Sequence, residues 1–212
     1  MSNLEITLEF ASLRSPGHCP IGVWVIPSPT NVYLWEGVLF IHRGYYAGAI
    51  YRFIIDIPIT YPNESPKIRF KTDCFHPLVD PNTGRFDIRS RFSNWRPHID
   101  FIFHLLHFLK GSFKRAGLER LKNEDEVQNK EAFRLYRDQT QVFANLASQS
   151  AILSASSPSL ESDSNESQLI KFSNLDDQEW QSIRTQILGH QTETNKTTNP
   201  KADVVTKKVH HT

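Results

Sequence analysis

The 212 residues, 39% hydrophobic and 22% charged, supply the core of one domain of ordinary size with room for an appended tail, and exclude two large domains. A net charge of +1 conceals a mildly basic front, with 15 Lys/Arg against 10 Asp/Glu in residues 1–122, and an acidic back; this surplus is too dispersed for a phosphate-binding stripe, which argues against nucleic acid. Cys19 and Cys74 offer neither a disulfide framework nor a zinc spacing, and neither a secretory signal nor an apolar run of bilayer length is present, so a soluble cytoplasmic protein without membrane insertion is expected.

The chain opens on a candidate helix at 3–12, capped by Ser2 and closed by Ser15, Pro16 and Gly17. Four β-branched and aromatic runs follow at 21–26, 33–42, 49–58 and 67–71, separated by Pro, Asn and Gly, at the spacing of an antiparallel meander. Residues 75–97, with Pro77, Pro81, Gly84 and Pro97, show no period, and irregular segments of that length usually carry function. Residues 98–113 read as a helix apolar on nearly every side and therefore central to the core, and 122–146 as a more amphipathic helical region. The fold class is α+β: an N-terminal helix, a four-stranded meander, a long loop, a buried central helix and a C-terminal helix.

Composition shifts after Ala147, which suggests a domain at 1–146 and a tail at 147–212. Nine of the 21 residues 148–168 are serine, and such a stretch buries too little apolar area to offset an ordering entropy of about 1–2 kcal/mol per residue, so disorder is expected there. One exception lies at 174–188, where Trp180, Ile183, Ile187 and Leu188 share a helix face behind Asn174 as a cap and ahead of Gly189 as a stop. That helix packs on the parent domain or binds a partner.

Local clusters are weaker. His104 and His107 sit one turn apart but lack the further ligands a metal needs, so no metal is expected. Arg85, Arg89, Arg91 and Arg96 form either a solvated basic face or a contact for an acidic partner, and a surface ion pair of Asp87 with a neighbouring arginine is worth about 0–1 kcal/mol. Tyr45 and Tyr46 read as hairpin packing, and Cys19 and Cys74 as structural thiols.

The stretch from Ile57 to Pro97 resembles the core of the ubiquitin-conjugating (E2) family. Pro58, Tyr61-Pro62 and Pro66 resemble the proline-rich segment after the third strand, and His76-Pro77 the start of the His-Pro-Asn motif. Gly84 lies three residues before the family's catalytic cysteine position, and Trp95 with Pro97 matches the Trp-x-Pro after it. The resemblance covers about residues 20–113 and implies the ubiquitin-conjugating fold. It also places Asp87 at the cysteine position and Leu78 at the asparagine position. A carboxylate cannot hold ubiquitin as a thioester, since acylation would give a hydrolysable anhydride, and Leu78 offers no hydrogen bond to an oxyanion, a loss of typically about 10²–10³-fold. The resemblance thus implies an inactive E2 variant, with no cofactor and no small-molecule substrate.

Among such variants, the run FHPLVDPNTGRFD at 75–87 is similar to the group called fused toes in one lineage and crossbronx in another, including its aspartate at the cysteine position. Residues 20–28 and Trp35 to Val38 resemble that group too, whereas Trp95 to Phe101 is shorter than its counterpart and closer to ordinary E2s. The resemblance implies protein partners, either coiled-coil motor adaptors of the Hook type, with a role in vesicle transport, or ubiquitin as a cofactor of an active E2. Conjugation through Cys74 or Cys19 is the remaining enzymatic reading.

Overall fold

The computed structural model describes residues 2–156, 169–172 and 176–194. Two compact units divide at residue 172. The first begins with helix α1 (Ser2–Ser12) and continues into strands β1 (Val23–Pro27), β2 (Leu34–Phe40), β3 (Ile50–Asp56), β4 (Lys67–Phe70) and β5 (Arg85–Phe86), antiparallel and in sequence order across the sheet. The fifth strand corrects the expected four. It is two residues long, too short to show a period, and pairs Phe86 with Ile68 and Arg85 with Arg69.

Alternation sets the register. Trp35 faces Ile55, Gly37 faces Phe53 and Leu39 faces Tyr51, all on the inner side. A side chain on Gly37 would collide with the Phe53 ring, so the glycine creates the space that ring fills. These residues share one core with Ile102, Leu105, Leu106 and Leu109 of helix α2 (Ile102–Ser112). The helix starts four residues later than its apolar pattern suggests. Arg96 closes a turn on Asp100 through its backbone N–H (2.9 Å) and guanidinium (3.0 and 2.8 Å), with His98 inside it at φ 60°.

Short helix α3 (Arg115–Leu118) follows α2, and a 3₁₀ turn (Glu124–Glu126), helix α4 (Lys130–Asp138) and helix α5 (Thr140–Ser154) take the place of the single region expected at 122–146. Asn129 caps α4 by accepting from Ala132 N (2.9 Å). Helix α5 continues past residue 146 into the serine-rich stretch expected to be disordered. Ala147, Ser150, Ala151 and Ser154 form a buried face of small residues at i, i+3, i+4 and i+7. Its serines also satisfy backbone from elsewhere: Ser150 Oγ accepts from Phe75 N (3.1 Å) and bonds Tyr51 Oη (2.9 Å), while Ser154 Oγ accepts from Ile50 N (3.0 Å). Ser150→Ala leaves a buried N–H and a buried hydroxyl without this partner and is expected to cost about 2 kcal/mol, measured by urea unfolding.

The second unit contains helix α6 (Asp177–Thr194), against an expected 174–188. Its cap is Asp176, whose Oδ1 accepts from Glu179 N (2.7 Å) while Glu179 Oε2 accepts from Asp176 N (3.2 Å), a reciprocal capping box. The helix passes through Gly189, the expected stop. The proposed cap Asn174, the disorder expected over 157–168 and the side chain of Ile187 lie outside the described residues.

Candidate functional site

The long loop folds back on itself and unites the two motif positions that the sequence singles out. Asp80 Oδ1 accepts from Asn82 N (2.8 Å) and Thr83 N (3.0 Å), and Gly84, at φ 69°, returns the chain by donating to Asp80 O (2.9 Å). Val79 bridges Phe86, and Asp87 N donates to Leu78 O at 2.7 Å. Residues 78 and 87 are thereby neighbours. Leu78 is buried in the core and its side chain presents no polar group.

His76 anchors the start of this loop. Its Nδ1 accepts from Leu78 N (3.0 Å), so Nε2 carries the proton donated to Ser112 O (3.1 Å). The ring packs 4.5 Å from Phe113, and burial lowers its pKa from 6.5 to about 4. Tyr46, fully buried, supports the preceding residue through Phe75 O (2.9 Å).

Asp87 is not the surface group expected of a carboxylate among arginines; its side chain is 3% exposed. Arg89 folds back onto it with its backbone N–H (2.9 Å), Nε (3.1 and 3.0 Å) and Nη2 (2.6 Å). Gln128 Nε2 donates to Oδ2 at 2.7 Å. Burial alone would raise the pKa of Asp87, but the hydrogen bonds from Arg89 and Gln128 overcome it and hold the carboxyl below its ordinary value. No motif or spacing in the sequence marks Gln128 for this role. Its backbone N and that of Asn129 both donate to Pro77 O (3.0 and 2.9 Å), which carries the 3₁₀ segment across the loop.

The remaining motif residues position the loop. Tyr61 N donates to Pro58 O (2.9 Å), Pro66 is buried, and Trp95 Nε1 donates to Pro62 O (2.9 Å), stapling the 88–100 segment to the Tyr61-Pro62 turn ahead of Pro97. Tyr61 Oη donates to Glu9 Oε1 (2.5 Å), and Glu9 Oε2 accepts from Ile102 N (3.2 Å), joining α1 to the start of α2. Burial raises the Glu9 pKa. A cleft of about 370 Å³ opens beside this junction, lined among others by Leu8, Glu9, His18, Tyr61 and Phe103.

Two of the four loop arginines are paired, Arg89 with Asp87 and Arg96 with Asp100, and Arg91 lies against Phe92 (5.4 Å). Cys74 is buried and Cys19 donates to Val23 O (3.2 Å); burial raises the pKa of both thiols. His104 Nδ1 accepts from Phe101 N (3.2 Å) and His107 Nε2 meets Gly17 O (2.7 Å), and no group of metal-binding residues occurs among the described residues. Trp180 and Ile183 are exposed on α6, in the other unit from this loop. No helix among the described residues is long and apolar enough to cross a membrane.

The ubiquitin-conjugating enzyme family model matches residues 6–151. The AKT-interacting protein of Danio rerio is 37% identical over 123 residues, covering 58% of this chain and 40% of the relative. The crossbronx homolog of Anopheles gambiae is 32% identical over 137 residues, 64% of this chain and 59% of the relative, and the crossbronx-like protein of Drosophila pseudoobscura pseudoobscura is 39% identical over 93 residues, 43% and 36%. The chain thus spans less than two thirds of the length of these relatives. A solved chain from Plasmodium yoelii, provisionally assigned as a ubiquitin conjugating enzyme, superposes with a TM-score of 0.58 at 21% identity over 71% of this chain and 92% of its own, a likeness of fold. With the loop, the sheet order and the central helix in place, the chain belongs to the ubiquitin-conjugating enzyme family, within its crossbronx and fused toes group of E2 variants.

Proposed function

We propose that this chain is a non-catalytic E2-like module that acts by binding other proteins. The observation that carries the reading is the carboxylate at position 87, buried and committed to Arg89 and Gln128. Transfer through a thioester needs a nucleophile that also leaves well. An ionised carboxylate tied by several donors is a poor nucleophile, and its acyl product would hydrolyse. The apolar Leu78 beside it supplies no oxyanion donor. Neither thiol replaces the missing nucleophile, because burial disfavours both thiolates.

The relatives named AKT-interacting protein carry a binding role in their name, which supports this class of function. Coiled-coil adaptors of the Hook type are the proposed partners, in vesicle transport in the cytoplasm, with the exposed Trp180 and Ile183 face of α6 as one contact of the helix-in-groove kind. The test incubates the full chain with ubiquitin-activating enzyme, ATP and ubiquitin and reads a non-reducing gel. No adduct is expected on the natural protein. A thiol-sensitive adduct abolished by Cys74→Ser or Cys19→Ser overturns the non-catalytic reading, and a cytosolic pull-down without any coiled-coil adaptor overturns the choice of partner.

A further inference from the structure

The outer face of the sheet is covered where a one-sided antiparallel sheet would meet water. Val38 and Arg52 are paired across β2 and β3 on that face, with Glu36 and Ile54 as the next outward pair. Val38 is only 1% exposed and Arg52 6%, although solvent-side positions of such a sheet are ordinarily open. Residues 169–172, Leu-Ile-Lys-Phe, account for the cover. Leu169 N donates to Glu36 Oε2 (3.2 Å), and Ile170 lies with Val38, Arg52 and Lys71 around a small cleft. Phe172 stands edge-on to Phe40 at 6.4 Å, under the Arg52 guanidinium at 4.9 Å from its ring centre.

We propose that the outer face of β2 and β3 is a peptide-docking groove whose resident ligand is this chain's own Leu169–Phe172 segment. Two apolar anchors, one backbone hydrogen bond and one cation–π contact make a weak ligand if presented separately. Tethering changes the balance, since a short connection sets an effective concentration of about millimolar and keeps a weak site filled. The segment also decides what the face offers to other proteins. Trp24, 67% exposed, and Ile26 on β1 lie beside Val38 and Glu36. Withdrawal of the segment would join Trp24, Ile26, Val38 and Ile54 into one apolar surface, of the kind that marks a protein contact. The covered face is therefore a masked docking surface, and the masking does not depend on the chemistry at position 87.

The test uses the full chain, natural and as Ile170→Asp/Phe172→Ala, with a synthetic peptide of residues 166–175 followed by amide NMR shifts. The double variant is expected to show shifted Val38, Arg52 and Ile54 resonances within an otherwise native spectrum, and to bind the added peptide at least about 10-fold more tightly than the natural chain, whose site is filled. Adding Val38→Asp to the double variant is expected to remove that binding. Equal peptide affinity for the natural chain and the double variant, or no binding to the double variant at about 5 mM peptide, overturns the proposal.

Discussion

Lowering the pH from 6.5 to 4 is expected to remove about 3 kcal/mol of folding stability through His76 alone. The ring is fully buried, and burial depresses its pKa to about 4 against the weaker, opposite pull of Ser112 O. An unfolded chain takes up this proton as the pH falls through 6.5, whereas the native ring refuses it until about 4. Within that window the unfolded state binds more protons, so stability that is fully present above pH 6.5 declines as the pH falls and levels off below 4. Glu9 works the other way, because burial raises its carboxyl pKa and acid then favours the native state. Asp87, held below the ordinary carboxylate pKa by Arg89 and Gln128, loses its contribution only at still lower pH. His76→Asn isolates the ring: an Asn Oδ1 can accept from Leu78 N as Nδ1 does, but it does not titrate. The variant is expected to be less stable than the natural protein at neutral pH, with the gap narrowing by about 3 kcal/mol at pH 4 in urea unfolding. Parallel pH dependences would exclude His76 as the origin.

The strands were legible because β-branched and aromatic runs such as those of β2 and β3 are separated by Pro, Asn and Gly at the turns. What escaped the sequence was structure made by polar side chains answering distant backbone. The serines of α5 resemble a disordered composition until their hydroxyls meet partners distant in sequence such as Ile50 N and Phe75 N. The break between α4 and α5 falls at Gln139, whose non-helical φ and ψ no glycine or proline announces. At the site, the positions of Asp87 and Leu78 could be counted from the motifs. The burial of Asp87 could not, because it depends on Gln128 arriving from a segment 41 residues away. The cover on Val38 escaped for the same reason, since Leu169 reaches Glu36 across a separation of 133 residues.

Gly84→Ala is expected to destabilise the protein by about 3 kcal/mol, a fall in Tm of about 10 °C for a domain of this size. Gly84 holds φ at 69°, which costs an alanine about 1 kcal/mol, and a Cβ there would run into the carbonyl of Phe70. That carbonyl cannot easily retreat. Phe70 N donates to Gly84 O (2.8 Å), and the Phe70 ring is packed in the core between Tyr51, Phe86 and Phe113. The glycine thus serves the turn that sets Asp87 beside Leu78. Trp95 and His76 share that character, each with a hydrogen bond that positions the loop, and Tyr61 ties α1 to the start of α2, whereas the two departures from the family motif fall where the resemblance places its chemistry. This division makes a further demand on the glycine. Its replacement should cost the same in an Asp87→Cys background, additive within about 0.5 kcal/mol. A coupling well above that value in differential scanning calorimetry would tie Gly84 to the group at position 87 and break the separation of scaffold from chemistry.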